Sequence, residues 1–222
     1  MLFLAVFCGF MAENEREHFV ERNREKEYIQ SLLEDMQEDT SELNDEIHLA
    51  ISQLEITDTL IDIISNRKIG QVEIDSLYVL HYSSRLVGPY FEDRTSSQLK
   101  NAGGMRLIHK KDVADSLSKY WHSIKLCETM TQLYESQYKA TTELSVRIFN
   151  SKYIVTKEVW DGPSLKHPGA TFIRNDFELL AEYGNRATMK RNLLRIFIER
   201  MEITRNRAIG VMKVSREQYH LK

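Results

Sequence analysis

The chain of 222 residues is 42% hydrophobic and 28% charged, which supplies a folded core for one or two domains and excludes wholesale disorder. Only 3 Pro and 9 Gly disfavour turn-rich β folds, and 2 Cys outside any C-x-x-C exclude a disulfide scaffold. A net charge of −3 gives no general attraction to nucleic acid.

Residues 1–12, MLFLAVFCGFMA, carry no charge. A helix of that length covers roughly 18 Å of a hydrocarbon core about 30 Å thick, too little to span it. No basic residue precedes the run, Phe10 stands at −3 before Ala12, and bulky Phe7 precedes Cys8, so secretory and lipoprotein signals fit poorly. The segment is expected to be a single-pass anchor in membrane lipid, a spanning helix whose start lies upstream. An interfacial anchor and a buried helix end are the alternatives.

Residues 13–46 hold 13 acids and 4 bases, whereas residues 186–222 hold 10 bases and 3 acids. Two solvated faces complementing each other across a bundle are expected. The other option places Lys190, Arg191, Arg195, Arg200, Arg205 and Arg207 against anionic lipid or nucleic acid. The acidic segment in the same chain opposes this, and no nucleic-acid partner is expected.

From Glu13 to Asn66 there is neither Pro nor Gly. Ile29, Leu33, Met36, Leu43, Ile47, Ala50, Leu54, Ile61 and Ile64 recur at 4,3 spacing, with Thr40 and Thr57 in the gaps. That pattern predicts one long helix, running unbroken through the capping-box pair Asp39 and Glu42. Its first half, residues 13–46, is narrow and charged and reads as an exposed stalk. Ile29, Leu33, Met36 and Leu43 are the self-association candidates on it. The stripe then widens, which assigns residues 47–222 to a helical bundle domain.

Gly70 marks a turn, and residues 73–87 read as a helix ended by Gly88-Pro89. Thr95-Ser96-Ser97-Gln98 is a capping box opening a short helix over 95–102, closed by Gly103-Gly104. Asp112 caps a helix reaching about Phe149, with a stripe of Val113, Leu117, Tyr120, Ile124, Cys127, Tyr134, Tyr138 and Ile148. Residues 153–156 have strand propensity, and Trp160-Asp161-Gly162-Pro163 and His167-Pro168-Gly169 are turn signals. Asn175-Asp176 starts a last helix to about residue 217, its core face including Phe177, Leu180, Ala187, Leu194, Phe197, Ile198 and Met201.

Chemical motifs are scarce. Gly103-Gly104-Met105 lacks the spacing of a phosphate loop, and no G-x-S-x-G occurs. Cys127 sits on an apolar stripe and reads as a core thiol. Glu15/His18 and Glu217/His220 match the E-x-x-H half of a di-iron site, but in charged end segments where chance matches are expected. His81, His109 and His122 read as structural or surface residues. No catalytic residue, metal ligand or cofactor is assigned. Tyr120, Tyr134 and Tyr138 follow helical spacing and read as core, with a ligand groove between helices as the alternative.

Two stretches carry a resemblance. The run Leu4–Asn14, followed by Arg16-Glu17-His18, Glu21, Arg24–Ile29, Ser31-Leu32 and Asp35, resembles a bacterial family of uncharacterised membrane-anchored helical proteins. The stretch Thr95–Ile108, with Val113, Leu117 and Tyr120 after it, is similar to that family's T-x-x-Q-L-K-x-x-G-x-x-R-L-I element. Together they cover residues 4–35 and 91–121. The resemblance implies an N-terminal anchor and a helical soluble domain, and no activity or catalytic residues.

The expected fold is mainly α, a long N-terminal stalk helix continuing into an antiparallel helical bundle. The expected function is a membrane-anchored interaction or scaffold protein, with a protein partner or a second copy meeting the 29–43 seam. A sensory input module is the alternative, with a small ligand near Tyr120, Tyr134 and Tyr138. A bacterial membrane is the expected location.

Overall fold

A computed structural model describes residues 2–66, 69–101, 104–155 and 162–221. Among these the chain is mainly α, with a long N-terminal helix packed against other helices. The helices are α1 (Leu2–Ser65), α2 (Gln71–Tyr82), α3 (Arg94–Asn101), α4 (Lys111–Ser145) and α5 (Phe177–Tyr219). Strands β1 (Ile154–Val155) and β2 (Ser164–Leu165) pair antiparallel, Ile154 opposite Leu165. No described helix is long and apolar enough to cross a membrane. The expected turn at Gly103, the strand end at Thr156 and the turn residues Trp160 and Asp161 lie outside the described residues.

The chain divides into two compact units, and α1, α4 and α5 each contribute to both. Unit 1 comprises Met1–Leu43, Tyr90–Ile124 and Ile203–Lys222. Its core packs Ile29, Leu33 and Met36 of α1 against Leu99 of α3, Leu117 and Tyr120 of α4 and Val211 of α5. Unit 2 comprises Asn44–Pro89 and Lys125–Glu202. Its core gathers Leu60, Leu77, Tyr78, Phe149, Leu180 and Tyr183.

This division corrects the expected stalk. The described side chains of α1 are exposed through Arg24, but from Glu25 onward one face is buried. Of the basic C-terminal segment, Arg191 and Arg195 reach Asp58, at 3.1 and 3.3 Å. The α1 acids accept backbone N–H groups. In unit 1, Asp35 Oδ2 takes the Thr95 N–H at 3.1 Å, Asp39 Oδ1 that of Glu92 at 2.8 Å, and Glu42 Oε1 that of Tyr90 at 3.4 Å. Asp35 Oδ1 also pairs with Arg94 at 2.9 Å. In unit 2, Glu46 Oε2 takes the Gly88 N–H at 2.8 Å. A Cβ on Gly88 would stand 2.8 Å from the Thr131 methyl, so glycine permits that close approach to α4.

Helix boundaries shift for identifiable reasons. α2 stops at Tyr82, short of the Gly-Pro signal, because Gln53 captures the backbone of residues 83 and 85. α3 begins at Arg94, and Asp93, not Thr95, bonds its first turn through the Ser97 N–H and hydroxyl. α4 begins at Lys111, which leaves Asp112 in the first turn. It ends at Ser145, where the hydroxyls of Thr141, Thr142 and Ser145 all fold back onto preceding carbonyls. Asp176 caps α5 as expected, accepting the Leu179 N–H at 3.1 Å. Phe177, expected in the core, is 68% exposed because it precedes the buried stripe that starts at Leu179 and Leu180.

Asp39 is buried beneath Tyr120, whose hydroxyl donates to it. Burial, with Asp35 and Glu92 nearby, pushes its carboxyl up to about 6 despite the two bonds that oppose the shift. A folded-state value above the unfolded one means that this group's contribution is fully present below about pH 4 and lost as pH rises through 6. Asp39→Asn removes that dependence. Between pH 4 and 7 the variant's unfolding free energy is expected to gain on wild type by up to about 3 kcal/mol. Urea unfolding at both pH values measures it, and a pH-independent difference would contradict the assignment.

Candidate functional site

The C-terminal end of α2, the C-terminal end of α4 and the first half of α5 line a cavity of about 200 Å³ in unit 2. α2 is fixed there by the loop after β2. Asp75 accepts the N–H groups of Gly169 and Ala170 at 3.0 and 2.8 Å, the former residue at a φ of 100° that glycine tolerates. Tyr78 donates to Thr171 O at 2.7 Å and accepts the Asn150 N–H at 2.9 Å. One turn on, His81 stacks on Phe149 at 4.5 Å and meets the Tyr183 hydroxyl at 3.0 Å.

Residue 84 is placed by its neighbours. Buried Gln53 donates to Ser83 O at 3.3 Å and accepts the Arg85 N–H at 2.7 Å. Between those anchors, Ser84 O accepts the Tyr138 hydroxyl at 3.2 Å. The Ser84 side chain then faces Lys190, whose ammonium donates to Ser84 Oγ at 2.9 Å.

Lys190 is the chemical centre of the cavity. It is only 5% exposed, and its ammonium lies 5.6 Å from the centre of the Tyr138 ring. Among the described residues no carboxylate lies within ion-pair distance of it. Burial alone pushes Lys190 down to about 8, so near neutral pH it is still mainly charged. His81 is pushed down to about 4 by burial and by Lys190, so it stays neutral. Burial raises Tyr82, Tyr138 and Tyr183 above the usual phenol range, so they too stay neutral. A buried ammonium without a counter-ion costs several kcal/mol. Perturbed groups of this kind cluster where ligands bind.

Of the three tyrosines expected to share a groove, only Tyr138 lines this cavity. Tyr134 lies one turn earlier on α4, fully buried, its hydroxyl without a hydrogen-bond partner among the described residues and its ring 6.2 Å from Phe197. Tyr120 belongs to unit 1, where it serves Asp39. The self-association candidates Ile29, Leu33, Met36 and Leu43 are all buried, so the seam is filled by the chain's own segments and offers no face to a second copy.

In the sequence Lys190 stands among the surface bases of a basic segment, and neither Ser84 nor Tyr183 belongs to a motif. One signal was present. Leu180, Tyr183, Ala187, Lys190, Leu194, Phe197 and Met201 form a 3,4 stripe with a single lysine inside it, and all are buried.

Unit 1 has a larger groove of about 490 Å³ around Glu25, His109 and Tyr219. Its buried carboxylate is already satisfied, by the His109 N–H at 2.7 Å, His109 Nδ1 at 3.1 Å and the Tyr219 hydroxyl. Among the described residues no group of His, Cys, Asp or Glu is placed to share a metal ion. No protein-family model, curated protein or solved structure matches the chain.

Gln53→Leu preserves side-chain volume but strands Ser83 O and the Arg85 N–H. The loss expected in urea unfolding is about 1–3 kcal/mol. The Arg85 amide should also exchange with solvent faster, and unchanged protection there would show that Gln53 does not hold this segment.

Proposed function

We propose that the chain is a helical ligand-binding module of sensory type, held at a bacterial membrane by the N-terminal end of α1. The observation that carries the ligand reading is Lys190, a buried ammonium with one polar partner over a formed cavity. The cost of that charge falls when a ligand supplies the missing partners. Thr142 is the exposed residue of the lining and marks the mouth. A metabolite screen by thermal shift is the test, because a ligand of the native state raises the melting temperature. Hits should lose their effect in Thr142→Trp, which fills the mouth from an exposed position. Wild-type shifts that survive this substitution would place the ligand elsewhere.

The membrane part of the reading rests on a second observation. Phe3, Leu4, Val6, Phe7, Phe10 and Met11 are exposed, and at roughly 100° per residue they share a face of about 160°. Phe3 and Phe7 stack on it at 6.4 Å between ring centres. An exposed apolar face of this size is an association surface, for lipid or for another apolar helix. Lipid is the occupant favoured here, since no charge interrupts residues 1–12. Replacing Phe7 and Phe10 together by Glu should weaken binding to phosphatidylglycerol vesicles by about tenfold or more. Equal sedimentation of variant and wild type with vesicles would remove the lipid reading and leave that of a protein scaffold.

A further inference from the structure

The charge in the Lys190 cavity is one-sided. An ammonium has three N–H donors, and the protein accepts one of them, at Ser84 Oγ. Ser84 uses its oxygen as that acceptor, which leaves its own O–H to donate. The remaining hydroxyls are committed inward. Thr141 donates to Gln137 O at 2.8 Å, Thr142 to Tyr138 O at 2.9 Å and Tyr138 to Ser84 O at 3.2 Å. Tyr183 is engaged with His81. Among the described residues the lining contains no acid. Lys190 therefore keeps two N–H groups and Ser84 its O–H for a ligand, and the ammonium is the one charged group among the described lining residues. A ligand that fits them presents acceptor oxygens and brings negative charge. One cation balances one negative charge, and a second would be buried without a partner. The rings of Tyr82 and Tyr138 offer faces for a small carbon frame.

We propose that the cavity binds a small organic monocarboxylate, its carboxylate paired with Lys190 Nζ and Ser84 Oγ and its carbon frame against Tyr82 and Tyr138. This rests on the ligand-binding reading given above and adds the ligand's class. The pairing is a charge-assisted hydrogen bond to a buried ammonium. Groups that change charge with pH around Lys190 are His81 and Tyr82 on α2, Tyr138 on α4 and Tyr183 on α5 itself. All stay neutral near pH 7, so Lys190 alone supplies the selection by charge.

Matched pairs test the class. Benzoate against benzamide, and butyrate against butyramide, are titrated into the full chain at pH 7 by calorimetry and thermal shift. The carboxylate of at least one pair should bind about tenfold or more tighter than its amide. Lys190→Met should abolish that preference while amide binding, where measurable, is retained. Ser84→Ala, which keeps the charge, should cost the carboxylate several-fold and serves as the readout if the methionine variant does not fold. Equal binding of acid and amide in wild type overturns the carboxylate assignment but leaves a ligand cavity. Preference that survives Lys190→Met overturns the role of Lys190. Failure of all four probes to bind overturns the monocarboxylate assignment, and the separate screen with Thr142→Trp then decides whether the cavity binds anything.

Discussion

A backbone N–H that leaves a helix must find an acceptor, and the segment between α2 and α3 has no sheet neighbour to provide one. α1 provides them from its side chains. In unit 2, Gln53 and Glu46 take the amides of Arg85 and Gly88. In unit 1, Glu42, Asp39 and Asp35 take those of Tyr90, Glu92 and Thr95. Each carboxylate that accepts from the backbone makes a charge-assisted bond, stronger than a neutral one. The acidity of residues 13–46 is therefore in part a structural supply of acceptors, not simply a solvated face. Everything that positions Ser84 depends on this arrangement, since a segment with unmet amides would not hold an extended path.

The same rule separates the two buried charge systems. Asp35 and Glu25 lie under cover in unit 1, and each has two or three donors, so their desolvation is offset within the chain. Lys190 lies under cover in unit 2 with one acceptor and a ring face. An apolar side chain of similar volume would pack there at no electrostatic cost. A charge that stability does not require is a charge that binding can use, and this contrast makes the Lys190 cavity, not the larger groove around Glu25, the better candidate site.

Much of the fold was legible from periodicity. The long α1, the stripe of α4 and the cap of α5 at Asp176 follow from spacing and capping chemistry, which are local. The errors lie where a distant side chain decided a local outcome. Gly88-Pro89 is a strong helix stop, yet α2 ends earlier because Gln53, 30 residues away from Ser83, takes that carbonyl. The narrow stripe of residues 29–43 looked like an oligomer seam because a heptad pattern does not say whose helices fill it. The groove tyrosines were grouped because one stripe carries all three, although unit 1 holds Tyr120 and unit 2 holds Tyr134 and Tyr138. Lys190 was hidden by composition, since a base in a basic segment draws no notice until its phase along the stripe is counted.

Pre-organisation completes the argument for binding. The α2 wall of the cavity is held by the Asp75 bonds to Gly169 and Ala170 and by both bonds of the Tyr78 hydroxyl. The α5 wall is drawn in at Gly184, where a Cβ would stand 2.9 Å from the Ile64 side chain. Walls fixed in this way lose little conformational freedom when a ligand enters, so the interaction at Lys190 is not consumed in ordering the site. The cost of keeping an ammonium away from water is carried by the free protein, in the stability of unit 2. A ligand that relieves it gains affinity from one charge and a few oriented donors, without the large apolar contact area that a cavity of about 200 Å³ has no room to offer.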